Sequence, residues 1–145
     1  MSDKDKNTNK VGNDTIHSVN NHFVKRTERG WAGHFISADK CRFRRNTLLE
    51  YNDIAIIVST VGLLYYNDEI QTVGHKRYFE TMVFHTNKED KRYKDADVTK
   101  QVYFDNEWAI NEIDADDKAN EMHEAVVSEI TEKLLKGHKF EVTDY

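Results

Sequence analysis

Alternation of apolar and polar positions dominates the middle of the chain. Between Tyr78 and His85, Phe79, Thr81, Val83 and His85 fall on one side and Tyr78, Glu80, Met82 and Phe84 on the other. That two-residue period is the signature of a strand. Val98 to Phe104 repeats it, with Val98, Val102 and Phe104 on one side and Lys100 between them. Ile54 to Val61 is β-branched and almost wholly apolar, which suits a strand covered on both faces. Trp31–Ser37 and Cys41–Leu49 are shorter strand candidates. The intervals between these runs are too short for parallel crossovers and favour antiparallel connections. Proline is absent, so turns fall to glycine and to pairs such as Asn52–Asp53 and Asn67–Asp68.

The period changes in the last third. Ala119, Met122, Val126, Ile130 and Leu134 recur at three- and four-residue steps and make one apolar stripe of a helix beginning near Ala115. Asp114 or Asp116 can cap it, and its acidic first turn suits the positive end of the helix dipole. Glu129/Lys133 and Glu132/Lys136 each add about 0.3 kcal/mol. Gly137 supplies the stop. The expected fold is α+β: an antiparallel β-sheet with the amphipathic helix packed on it, Trp108 and Ile110 sealing its approach. Residues 1–22 are polar, without apolar periodicity, and read as a mobile tail. Residues 23–145 then form a single domain.

Composition narrows the classes. The chain has 145 residues and a net charge of −5, but the charge is uneven. Residues 1–45 hold ten Lys/Arg against five Asp/Glu, residues 46–104 seven against nine, and residues 105–145 four against twelve. An acidic chain argues against DNA or RNA as a partner, since that affinity comes largely from phosphate neutralisation. One cysteine, Cys41, precludes an internal disulfide. The longest apolar run, Ile54 to Val58, is far below a membrane span, and the N-terminus lacks the apolar core of a signal peptide. A soluble protein of a reducing compartment is expected.

Candidate chemistry is limited. The seven histidines form no His-Glu-x-x-His pair, and one cysteine cannot build a zinc ribbon, so no metal site is expected. A Cys41–His34 pair is conceivable, but Cys41 lies in a strand-like run where a small buried thiol is the default. Asp114, Asp116 and Asp117 read as caps rather than general acids. No catalytic residue is expected. Anion binding has more support. Lys40, Arg42 and Arg44 alternate along a strand, and Arg44–Arg45–Asn46–Thr47 sets two guanidinium forks beside an amide and a hydroxyl. His75–Lys76–Arg77 makes a second basic cluster. Trp31, Phe43, Tyr65, Tyr66 and Tyr78 are near enough in sequence to stack on a base. The competing reading is a solvated strand face with Arg45 paired internally, for instance to Glu50 or Glu80.

Four segments, Arg29–Phe35, Cys41–Leu49, Ile57–Gly62 and Arg77–Met82, together with the helix segment Asn120–Val127, resemble the Thoeris anti-defence sponge proteins of tailed bacteriophages. The resemblance covers about residues 28–137. It implies a binding protein and no enzyme, one that captures the cyclic ADP-ribose isomer made by an infected cell's TIR-domain protein. It also implies an antiparallel sheet with C-terminal helices, homo-oligomers with ligand between subunits, and action in the cytoplasm of the infected bacterium; no cofactor and no membrane partner are expected. Chemistry then selects Arg44 and Arg45 for the diphosphate with Arg77 in support, Asn46 and Thr47 as hydrogen-bonding partners, and Trp31 or Tyr78 to stack on adenine. A ligand of about 35 heavy atoms at about 0.3 kcal/mol each gains roughly 10 kcal/mol, enough for sequestration without chemistry. Two other classes remain: an inhibitor docking its acidic helix on a host protein in imitation of nucleic acid, and a nucleotide-cleaving enzyme using His34, His75 or His123 as acid or base.

Overall fold

The computed structural model describes residues 23–30, 34 and 37–142. The tail expected over 1–22 lies outside them, as does most of the strand expected over Trp31–Ser37, including Trp31 itself. Seven strands form one antiparallel sheet: β1 (Lys25–Glu28), β2 (Cys41–Tyr51), β3 (Ile54–Tyr66), β4 (Glu69–Gln71), β5 (Phe79–Thr86), β6 (Ala96–Val102) and β7 (Ala109–Ile110). Their order is β1-β2-β3-β5-β6, with β4 also pairing β3 and β7 also pairing β5. A helix, α1 (Asp116–Leu135), crosses one face. The fold is the α+β arrangement that the periodicities predict.

The turn residues act as their chemistry requires. Asn52 adopts φ 56° in the β2–β3 connection, and Asn67 and Asp68 adopt φ 52° and 62° between β3 and β4. Two successive positive φ values give the turn whose twist matches antiparallel strands. Both long strands run past their expected ends, to Tyr51 and Tyr66, because these two-residue turns let pairing continue to the tip. β1, β4 and β7 are too short to show a period and had no counterpart in the sequence pattern.

One face of the sheet carries the main core. Leu49, Ile56, Val58, Val83 and Val102 meet Val126, Val127, Ile130 and Leu134 of α1. Phe43 and Phe79 meet Ala115, Ala119 and Met122. Each fully buried aliphatic or aromatic side chain here contributes roughly 1.5–3 kcal/mol. Gly62 in β3 has a specific cause: a Cβ there would sit 2.3 Å from a ring carbon of Phe79. At the helix start Ala115 occupies the cap position with no side-chain cap bond, so Asp116 and Asp117 act through the dipole alone. At its end Gly137 takes φ 71°, and the His138 N–H donates to the Lys133 carbonyl. Ile110 packs beside the Phe79 cluster as expected, whereas Trp108 turns away to stack on Arg77.

Candidate functional site

Strand pleating divides the sequence-derived site. β2 pairs β3 with Arg44 opposite Val61 and Arg45 opposite Thr60, so neighbouring residues point to opposite faces. Arg45 and Thr47 lie on the helix side. Arg44 and Asn46 lie on the other, in cross-strand rows with Val61 and Glu80 and with Ser59 and Met82.

On the helix side Arg45 is tied to protein carboxylates. Its Nε and Nη2 donate to Glu28 at 2.9 and 3.0 Å, and Nη2 also lies 2.8 Å from Glu124. Arg26 forks the same Glu124 at 2.9 and 2.6 Å. The Arg26 hydrogen bond, reinforced by Arg45 against a smaller cost of burial, lowers the Glu124 carboxyl to about 2. Burial pushes the Glu28 carboxyl up, but hydrogen bonds from Arg45 and Thr47 outweigh it and the net shift is downward. The internal ion pair of the competing reading is thus present, with Glu28 and Glu124 in place of Glu50 or Glu80.

This network continues inward through a fully buried histidine. Thr47 Oγ1 donates to Glu28 at 2.7 Å and so accepts from His123 Nε2, also at 2.7 Å. His123 Nδ1 then accepts from Thr60 Oγ1 at 2.7 Å, and Thr60 accepts from Thr81 at 2.6 Å. Burial, followed by the charge of Arg45, lowers His123 to about 4. Every polar atom of this chain has its partner, and the ring is closed off from solvent. The arrangement holds the helix to the sheet.

The face away from the helix is different. His34 Nε2 donates to Glu80 Oε2 at 2.6 Å, and Nδ1 is 3.1 Å from the Ser59 hydroxyl. The other carboxylate oxygen, Glu80 Oε1, accepts from Arg77 Nη1 at 3.0 Å. Both His34 and Glu80 side chains are buried, at 3% and 9% exposure. Arg77 also lies over the Trp108 ring, 4.5 Å from its centroid. Trp108 in turn borders a cleft of about 410 Å³ lined by Arg77, Met82, Gln101, Tyr103, Phe104 and Trp108, with Thr81 and Val102 at its base. The cleft forms because β6 leaves β5 after Val102 and β7 joins it at Ala109, so the intervening segment bows outward.

The other residues chosen from sequence fall as follows. Arg77 is at the cleft. Arg44 is exposed on the same face, two strands from Glu80. Asn46 is buried and accepts from Arg29 Nε at 3.0 Å, anchoring the segment after β1. Tyr78 packs toward the Phe43–Phe79 cluster on the helix side and does not line the cleft. Trp31 lies outside the described residues. Burial raises the Cys41 thiol to about 11, as befits a packing residue rather than a nucleophile. Sequence reasoning missed Tyr103 and Phe104; the available signal was aromatic crowding just past a strand end, with Trp108 a few residues on.

Among the described residues no group of His, Cys, Asp or Glu is placed to hold a metal ion, and no helix is long and apolar enough to cross a membrane. Comparison with known protein families, curated proteins and solved structures finds no match to this chain. Fold and cleft define an α+β protein whose sheet carries, where β6 and β7 part along β5, a cleft lined by Tyr103, Phe104 and Trp108.

Proposed function

We propose that this protein is a binding protein that captures a nucleotide in the cleft between β5 and the Tyr103–Trp108 segment and holds it without altering it. The observation that carries this reading is the Arg77 guanidinium stacked on Trp108 beside an aromatic cleft. A planar base gains stacking area on Trp108, Tyr103 and Phe104, and the adjacent guanidinium supplies a charged fork for phosphate. A volume of about 410 Å³ lies within the usual range for a site of this kind. Glu80 and His34 hold Arg77 from behind, which reduces the side-chain entropy lost on binding. Arg45 and Thr47 play no part, being committed to the helix network. The biological role that accompanies this reading is the one the sequence resemblance implies: a phage-encoded, self-associating sponge for a cyclic ADP-ribose-type signal, acting in the cytoplasm of the infected bacterium.

The test is direct. Purified protein is incubated with cyclic ADP-ribose isomers and related nucleotides and separated by filtration. The retained fraction is then heated, and both fractions are chromatographed. Retention of one intact nucleotide, released on denaturation, is the expected result. An altered product would instead favour the enzyme reading, for which His34, with its Ser59 and Glu80 partners, is the acid–base candidate. Free, unaltered nucleotide in every case would overturn the reading.

A further inference from the structure

A second concavity, of about 530 Å³, runs between β7 and the first half of α1. Its apolar lining comes from Ile110, Met122 and Ala125, and three carboxylates, Glu107, Glu112 and Glu121, stand around it. One ammonium, Lys118, is present and is paired with Glu112 at 2.7 Å. The groove therefore carries a net charge of −2, three carboxylates against one ammonium.

The backbone of β7 is open toward this groove. The carbonyls of Trp108 and Ile110 accept from Thr81 and Tyr78, both at 2.8 Å, and so turn toward β5. In an antiparallel strand alternate residues direct their backbone groups to opposite sides. The N–H and C=O of Ala109 therefore point away from β5, and among the described residues no further strand pairs with this edge.

We infer that this groove is a docking site for an extended segment of a partner protein carrying lysine or arginine at alternate positions. The segment adds as a strand to β7: its backbone pairs with Ala109, and its cationic side chains turn to the helix side, where their aliphatic stems rest on Ile110 and Met122 and their charges reach Glu107 and Glu121. Main-chain pairing supplies affinity and the acidic surround selects the sequence. The site is separate from the aromatic cleft. Of the residues lining the two, none is shared.

Two fluorescein-labelled peptides of about eight residues test this, one alternating lysine with valine and the other glutamate with valine. Fluorescence anisotropy is read at low and at high salt. The lysine peptide is expected to bind at least about tenfold more tightly than the glutamate peptide, and less tightly as salt rises. Ala109→Pro deletes the outward N–H while leaving the carbonyls that face β5, and should weaken the lysine peptide by about tenfold. Glu121→Lys, on an exposed helix position, should weaken it comparably and serves if the proline variant fails to fold. Equal binding of the two peptides, or no binding, overturns the inference. So does loss in Glu121→Lys alone with a folded Ala109→Pro variant unaffected, since strand addition would then be absent. A concentration-dependent dimer abolished by Ala109→Pro would assign the edge to a second copy of this chain and overturn the basic-segment assignment.

Discussion

His123 has no freedom left in its hydrogen bonds: one ring nitrogen donates to Thr47 and the other accepts from Thr60, so the fold requires the neutral ring. Its ionisation is lowered from about 6.5 to about 4, and the consequence for stability has a definite sign. The unfolded chain takes up the proton first as pH falls. The contribution is complete above pH 6.5, declines between 6.5 and about 4, and totals on the order of 3 kcal/mol. A denaturant midpoint measured against pH should fall through that window, and His123→Gln should flatten it there. Glu124, lowered to about 2, acts in a separate and more acid window: its contribution is complete above pH 4.5 and lost toward pH 2. Because this carboxylate is nearly half exposed, solvent screening limits its worth to about 1 kcal/mol, and Glu124→Gln should remove that second decline. None of these pairings was legible in sequence. Arg45 is 17 positions from Glu28 and 79 from Glu124, and only the β1–β2 register and the seating of α1 bring them together.

At the scale of elements the sequence was more informative. Periods of two and of 3.6 residues identified the long strands and the helix, because each buries a continuous apolar side that leaves a regular trace. Short β1, β4 and β7 leave none; their pairing is imposed by neighbours. The same alternation already implied that Arg44 and Arg45 diverge, since adjacent strand residues cannot share a face. Two substitutions separate the stabilising face from the proposed binding cleft. Ile130→Ala opens space beneath α1 and should cost about 2–5 kcal/mol in chemical denaturation. Gly62→Ala forces a methyl group against Phe79 and should cost about 1–3 kcal/mol. For variants that remain folded, nucleotide affinity should stay near that of the wild type, because Ile130 and Gly62 are not among the residues lining the cleft.

The whole molecule divides its work between the two faces of one sheet. The helix side is closed by apolar packing and a fully partnered polar chain. The opposite side keeps a buried carboxylate, a histidine and an arginine in contact beside an aromatic cleft. Of that site the sequence disclosed the Arg77 cluster; the aromatic wall emerges only where β6 and β7 part along β5. Arg77→Ala should weaken nucleotide capture by about 2 kcal/mol, roughly thirtyfold, through loss of a charge-assisted fork. Arg77→Lys should recover only part of that, because an ammonium cannot present a planar fork while stacked on Trp108.

The most direct measurement uses Trp108 itself. In a Trp31→Phe background it is the sole tryptophan, and its emission is followed as cyclic ADP-ribose is titrated in. Saturable quenching at one nucleotide per chain, displaced to much higher concentration by Arg77→Ala, is the predicted result. Emission that stays constant while the same nucleotide is retained by the protein would place the ligand elsewhere and contradict the assignment of the cleft.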